Sequence, residues 1–418
     1  MQQVVFDEPY SFVPPYRGTF WSWAVGKILP RLLRKRYGIV GWKQHGFDHL
    51  RESLQAGHGI ILCPNHSSIS DPMMCGTITT GVPCHAYAMA SWHVFRQGWL
   101  ETFVARRVGG FSIYREGLDR KALDAAVGIV SQAERPLLIF PEGVISAAND
   151  RLMPLMEGIS FVARAAAKKR ARSHPASKVV IHPVAFRYTH QSDASVTLAP
   201  VLSRLERLFF WQAQTDRPLL QRVQRLREAV QSAREIQFLG QTRQGDVEDR
   251  MADLVNSILH KYEHEWLGKT RTGDAIVRVK DLRIEILKEM VSNEVDDAER
   301  TRRWRHLTDL YYAQCISLHI KGYIDEDKAG GQLQDRLFET VARLEEELTD
   351  QFTVFQDIHA DVHIGPAIEV DSRAKRSRGE DSLMLDLRQK MLQLMGVTDE
   401  WPPEPVVDLE PGSTGSAD

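Results

Sequence analysis

The stretch GIILCPNHSSISDP, residues 59 to 72, joins an apolar run, a polar loop and an Asp-Pro pair. A short apolar run bounded by proline reads as a buried strand. Asp71 followed by Pro72 reads as an N-cap with proline at the first helical position, so the loop is expected to run from the carboxyl end of a strand into a helix start. Open α/β sheets bind ligands at that edge. The loop carries His66 and Asp71, and a carboxylate five residues on can accept the imidazole Nδ1 proton, fix the tautomer and leave Nε2 as a general base. The spacing alone says little, because a chain with 15 histidines is expected to hold about one such pair by chance. Taken alone, Asp71 reads equally as a cap and His66 as a polar loop residue.

Outward from this loop the alternation continues. Between residues 58 and about 186, apolar runs such as HAYAMA, PLLIFP and KVVIHPVAF alternate with helical stretches, the pattern of an α/β layer fold: a mixed sheet flanked by helices. Leu118, Ala122, Ala125, Ile129 and Ala133 share one helical face, as do Leu152, Leu155, Met156, Ile159, Val162, Ala163 and Ala166. Three further segments end at the expected sheet edge. GGFSIYR, residues 109 to 115, ends in Arg115, whose planar fork suits a phosphate or carboxylate. LLIFPEGVIS, residues 137 to 146, delivers Glu142 and Gly143 through a turn at Pro141. VIHPVAF, residues 180 to 186, is a strand interrupted by Pro183, which by itself reads as an edge strand.

Taken in order, NHSSISD (65–71), GFSIYR (110–115), FPEGVIS (140–146) and VIHPVAF (180–186) resemble the four blocks of the glycerolipid acyltransferase family, which includes the 1-acyl-glycerol-3-phosphate acyltransferases. The resemblance covers about residues 40 to 200. It implies transfer of a fatty acyl group from an acyl thioester, on coenzyme A or acyl carrier protein, to a hydroxyl of a lysophosphatidate-like glycerolipid in phospholipid synthesis or remodelling. Carried onto this chain, it implies His66 as general base and Asp71 as its orienting partner. It also implies Asn65, Arg115, Glu142, Gly143 and Pro183 as substrate-binding positions, Pro183 near the acyl donor, with no metal and no cofactor beyond the thioester co-substrate. Val144 and Ile145 stand where the family usually has Thr and Arg. That departure keeps two alternatives open: an acceptor other than a phosphatidate precursor, and a lipid- or acyl-binding protein that has lost catalysis. A hydrolase is disfavoured by the lack of a G-x-S-x-G turn. Cys63, inside the apolar run, reads as a buried small hydrophobe rather than a nucleophile.

The flanks read differently. TFWSWAVGKILPRLLRKR, residues 19 to 36, is aromatic, apolar and basic with no acid, which suits a membrane interface, with a kink expected at Pro30; the plain alternative is a helix packed on the core. Five segments are expected: an interfacial segment over 1–40, the α/β domain over 41–202, a mostly helical part over 203–360, a strand and helix returning to the sheet over 361–397, and a disordered tail over 398–418. No internal repeat is expected.

The composition sets outer bounds. With 418 residues, 53 basic against 55 acidic side chains and 43% hydrophobic content, the chain is long enough for two units and has no bulk charge to drive it onto nucleic acid. Four cysteines without a C-x-x-C pair argue against disulfide stapling and structural zinc and suit a reducing compartment. The expectation is a cytoplasmic protein held peripherally on the inner face of a membrane.

Overall fold

The computed structural model describes residues 5–373 and 381–397; the expected tail at 398–418 lies outside the described residues. In chain order the first elements are α1 (Phe20–Tyr37), β1 (Ile39–His45), α2 (Phe47–Gln55), β2 (Gly59–Pro64), α3 (Asp71–Gly81), β3 (Tyr87–Ser91), α4 (Trp99–Arg107), β4 (Gly110–Ile113), α5 (Arg120–Gln132), β5 (Leu137–Leu138), α6 (Gly158–Ser173) and β6 (Val179–His190). There follow α7 (Ala194–Thr197), α8 (Ala199–Leu208), α9 (Leu219–Leu239), α10 (Val247–Leu267), α11 (Ala275–Val291), α12 (Asp297–Ser317), α13 (Glu326–Ala329), α14 (Leu333–Thr349), β7 (Ile358–Ile364), β8 (Ile368–Glu369) and α15 (Ser382–Met395). The chain forms two compact units, one running up to residue 230 and resuming at 322, the other spanning 231–321.

All eight strands lie in the first unit, in the order β1-β7-β6-β2-β5-β3-β4, with β8 beside β6. The sheet is mixed: β6 runs parallel to β2 and antiparallel to β7. Every residue of β2 is buried, as strands covered on both faces require. Alternation along β2 and β6 divides the core. Ile61, Cys63, Ile181 and Ala185 meet α5, α6 and α15 on one face. Ile60, Leu62, Val180 and Phe186 meet α1, α2 and α3 on the other.

The structure revises several local readings. Pro183 stands mid-sheet rather than on an edge: its partner on one side is Cys63 of β2, and on the other side β8 gives way to β7 at this point, so no ladder donor is needed from it. Gly365 at that corner gives its N–H to the Pro183 carbonyl, and a Cβ there would sit 2.7 Å from Pro183 Cγ. Leu118 lies outside α5 and is exposed. Residues 151–157 form a loop before α6, because Met153 and Met156 spend their N–H groups on Glu142 and on the Pro141 carbonyl. α1 continues through Pro30, burying Leu29 and Leu33 against α3 while Phe20, Trp23 and Ile28 stay exposed.

The compact helical unit is shorter than the 203–360 stretch, since α8 and α14 bury Leu202, Leu205, Leu337 and Phe338 with Ala194 and Phe355 in the first unit. Helical segments also contain an internal repeat. LGQTRQGD at 239–246 recurs as LGKTRTGD at 267–274, so that Asp246 and Asp274 cap α10 and α11. Around each copy a buried glutamate near one helix end, Glu235 or Glu263, accepts the backbone N–H of Arg243 or Arg271 and pairs bidentately with Arg250 or Arg278 of the next helix. In the first unit, Glu206 binds Gln214 N–H and Arg222 in the same way. The two octapeptides are legible in the chain; that each is braced by a buried glutamate–arginine pair appears only in the fold. Removing one partner from such a pair costs about 3–5 kcal/mol, because the other charge stays buried.

Candidate active site

β2 ends at Pro64, and the next residue is taken up by the neighbouring strand. Asn65 donates Nδ2 to the Phe186 carbonyl at 3.0 Å and accepts the Phe186 N–H at 2.7 Å, extending the β2–β6 ladder with a side-chain amide. Asn149, in the loop after the Pro-Glu-Gly turn, does the same two residues on, binding Tyr188 O at 2.7 Å and Tyr188 N at 2.9 Å. Two asparagines thus tie both loops to β6.

Between these ties, His66 donates Nδ1 to Asp71 Oδ2 at 2.9 Å. Asp71 is fully buried and also accepts the Ser68 N–H at 2.8 Å and the Tyr188 hydroxyl at 2.5 Å. Its carboxylate therefore serves the loop rather than the helix: α3 starts at Asp71, one residue earlier than expected, with Ser70 at the N-cap position. Burial, then the Asp71 charge, hold the Tyr188 phenol well above its usual range, so it remains a donor. The His66 ring stacks on Phe140 at 4.2 Å, its side chain is 14% exposed, and Nε2 makes no hydrogen bond among the described residues. That leaves a tautomer-fixed imidazole with one nitrogen free.

Glu142 is buried beneath the turn. Its Oε1 accepts the His66 backbone N–H at 2.6 Å and its Oε2 accepts Met153 N–H at 2.8 Å, so its oxygens are used to hold the histidine loop. Burial pushes its carboxyl up to about 8, against those two hydrogen bonds. Gly143 follows with φ 68°, a conformation that favours glycine. A Cβ there would sit 2.8 Å from the Met156 sulfur and 3.4 Å from Arg115 Nη2, so Arg115 lies against the turn on its open side. Arg115, just past β4, makes no hydrogen bond or ion pair with a described residue; desolvation lowers the pKa of its guanidinium, opposed by Glu116.

His66, Asp71, Arg115, Glu142 and Gly143 come together at this edge. Asn65 is adjacent with its side chain committed to β6, and Pro183 is buried beside Cys63 in mid-strand. Burial raises the thiol pKa of Cys63 and leaves it without nucleophilic character. Val144 is buried too.

Three residues escaped the sequence reading. Tyr188 sits at alternate spacing from Val184 and Phe186 and reads as one more core residue. His93 follows β3; its Nδ1 is buried with no partner among the described residues, and burial with help from Arg115 lowers its pKa to about 4. Ser67 carries a buried hydroxyl without a partner beside His66. Only the pairing of an orphan imidazole with an orphan guanidinium draws attention to His93, and that pairing needs three dimensions.

Comparison with known proteins gives one family match. The family model described as Acyltransferase matches residues 47–187, from α2 into β6, and so includes all four blocks. A search of the curated proteins returned no match. The α/β segment at residues 47–187 is thus similar to the acyltransferase family, a likeness that supports acyl transfer in general.

Proposed function

We propose that the protein transfers a fatty acyl group from an acyl thioester to a hydroxyl of a phosphate-bearing lysoglycerolipid at a membrane surface. The observation that carries the reading is the relay from Tyr188 through Asp71 to His66, with Nε2 left free. An alcohol needs a base at the moment it attacks a thioester. His66 Nε2 takes the hydroxyl proton as the oxygen attacks the carbonyl carbon, and Asp71 stabilises the imidazolium. The tetrahedral oxyanion collapses, the C–S bond breaks, and the thiolate takes the proton back from His66. The Ser67 hydroxyl is a donor available to the oxyanion.

Arg115 and His93 support a phosphate on the acceptor: a guanidinium and an imidazole nitrogen without partners, beside the Pro-Glu-Gly turn, match an anion with several acceptor oxygens. Membrane contact is supported by the exposed Phe20, Trp23 and Ile28 of α1, the exposed Trp99 and Leu100 of α4, and the edge contact of Trp21 with Phe103 that joins the two helices. Lys27, Arg31, Arg34, Lys35 and Arg36 are exposed along α1. No helix among the described residues is long and apolar enough to cross a membrane, so the contact would be interfacial.

The test is product analysis by mass spectrometry. The protein is incubated with mixed acyl-CoA and a panel of lysophosphatidate, glycerol 3-phosphate and other lysophospholipids, alongside His66→Ala. An acylated phosphate-bearing product that vanishes in the variant is the expected result. Free fatty acid without acylated lipid, or product that persists in the variant, overturns it.

A further inference from the structure

β7 carries His359, Asp361 and His363 at alternate positions, and its parallel register sets Gly41, Lys43 and His45 of β1 beside them. Ala360, Val362 and Ile364, which alternate with them, are buried in the core, so period-two alternation sends the three polar side chains to the open face. His45 stands beside His363, with imidazoles stacked at 4.2 Å and planes 10° apart. His45 Nε2 lies 3.0 Å from Asp361 Oδ1. The donor atoms of His45, Asp361 and His363 all lie within 4.8 Å of one another, the one such group found among the described residues.

We propose that His45, Asp361 and His363 form a binding site for a divalent transition-metal cation, with zinc the best match. Two imidazoles and one carboxylate are a mixed nitrogen and oxygen set, which selects zinc and its neighbours; magnesium and calcium require oxygen ligands. At metal–ligand bonds of about 2.0–2.2 Å, tetrahedral donors stand roughly 3.3–3.5 Å apart. Closing from the observed spacing takes side-chain rotation only, because the β1–β7 ladder holds the three Cα atoms. His45 is exposed and the other two are half-buried, which leaves a fourth position to water. The site is separate from the His66 loop. It joins β1, the edge strand that follows α1, to the strand that returns 316 residues later, so a bound cation would fasten the sheet edge across the length of the chain. His359 supplies an internal control: its ring lies over Gly41, with Cε1 3.1 Å from where a Cβ would stand, and it is not part of the donor group.

The experiment uses the full chain stripped with EDTA. Zinc chloride is titrated by calorimetry, cobalt(II) by visible absorption, and thermal unfolding is followed with and without zinc. The expected result is one equivalent per chain, a four-coordinate cobalt spectrum and a raised Tm, since a ligand that binds only the folded chain stabilises it. His45→Gln and His363→Gln should each weaken binding by about tenfold or more, with His359→Gln at wild-type affinity. All three side chains project from the surface, and unchanged acyl transfer by the metal-free variants would show that they fold. Absence of saturable one-to-one binding, or binding untouched when His45 and His363 are both replaced, overturns the site.

Discussion

Tyr188, near the carboxyl end of β6, donates its hydroxyl at 2.5 Å to Oδ1 of Asp71, 117 residues earlier in the chain. Asp71 faces His66 with its other oxygen, so a core strand sets the direction in which the histidine points.

Replacing Tyr188 with Phe removes that donor and leaves Oδ1 of a buried carboxylate unpaired. A hydrogen bond to a charged group is worth about 1.5–3 kcal/mol, so kcat should fall by roughly tenfold to a hundredfold while KM for both substrates holds. Asp71→Asn should cost kcat about three to four orders of magnitude, since the tautomer is then no longer fixed. Steady-state kinetics measure both, and a Tyr188→Phe enzyme with wild-type kcat would remove the relay from the mechanism.

Arg115 rests against the turn at Gly143 without an ion-pair partner, next to the orphan His93 nitrogen. Arg115→Ala should raise the KM for a phosphate-bearing acceptor by about tenfold to a hundredfold and leave that for acyl-CoA within twofold, a difference in binding of about 1.5–3 kcal/mol. His93→Gln should move the same constant in the same direction by less. Equal effects on donor and acceptor would contradict the assignment.

Glu339 of α14 accepts Asn149 N–H at 2.9 Å and the Tyr323 hydroxyl, and so braces the loop that Asn149 ties to β6. Burial pushes its carboxyl up to about 8, aided by Asp150 and Asp335 and opposed by its two hydrogen bonds. With the folded-state value above the ordinary 4.5, the folded chain holds an extra proton between the two values; the linked stability is complete below the lower one and is lost as pH rises through about 8. The wild-type Tm should therefore fall relative to that of Glu339→Gln, the isostere of the protonated carboxyl, as pH rises through that window. Parallel Tm curves would sink the idea.

The five cations of α1 project from the helix whose Leu29 and Leu33 are locked in the core. Changing Lys27, Arg31, Arg34, Lys35 and Arg36 to Gln should reduce sedimentation with anionic vesicles at low salt, each cation contributing about 1 kcal/mol near the surface, and leave Tm nearly unchanged. Binding that survives all five changes would reduce α1 to a packing helix.

Much of this architecture was legible in the chain. The buried run of β2, the His66–Asp71 loop, the turn at Glu142 and Gly143, and the strand around Pro183 are local patterns: each follows from the periodicity or turn chemistry of a few neighbouring residues. Their order along the chain supported the acyltransferase resemblance. Roles that depend on distant partners were not legible. That the side chains of Asn65 and Glu142 hold the loop could not be read, because the backbone of β6 and the His66 N–H approach them only in the folded sheet.

Sequence by itself determined the α/β alternation, the His66–Asp71 loop and the amphipathic first helix, since these rest on spacing within one element. Tertiary structure alone decided which groups were used up and which were left free: Tyr188 behind Asp71, His93 beside Arg115, and His45 beside His363 across a parallel pair. The reason is physical. Hydrogen-bond satisfaction and burial are properties of pairs brought together from separate elements, and no local pattern in a chain records them.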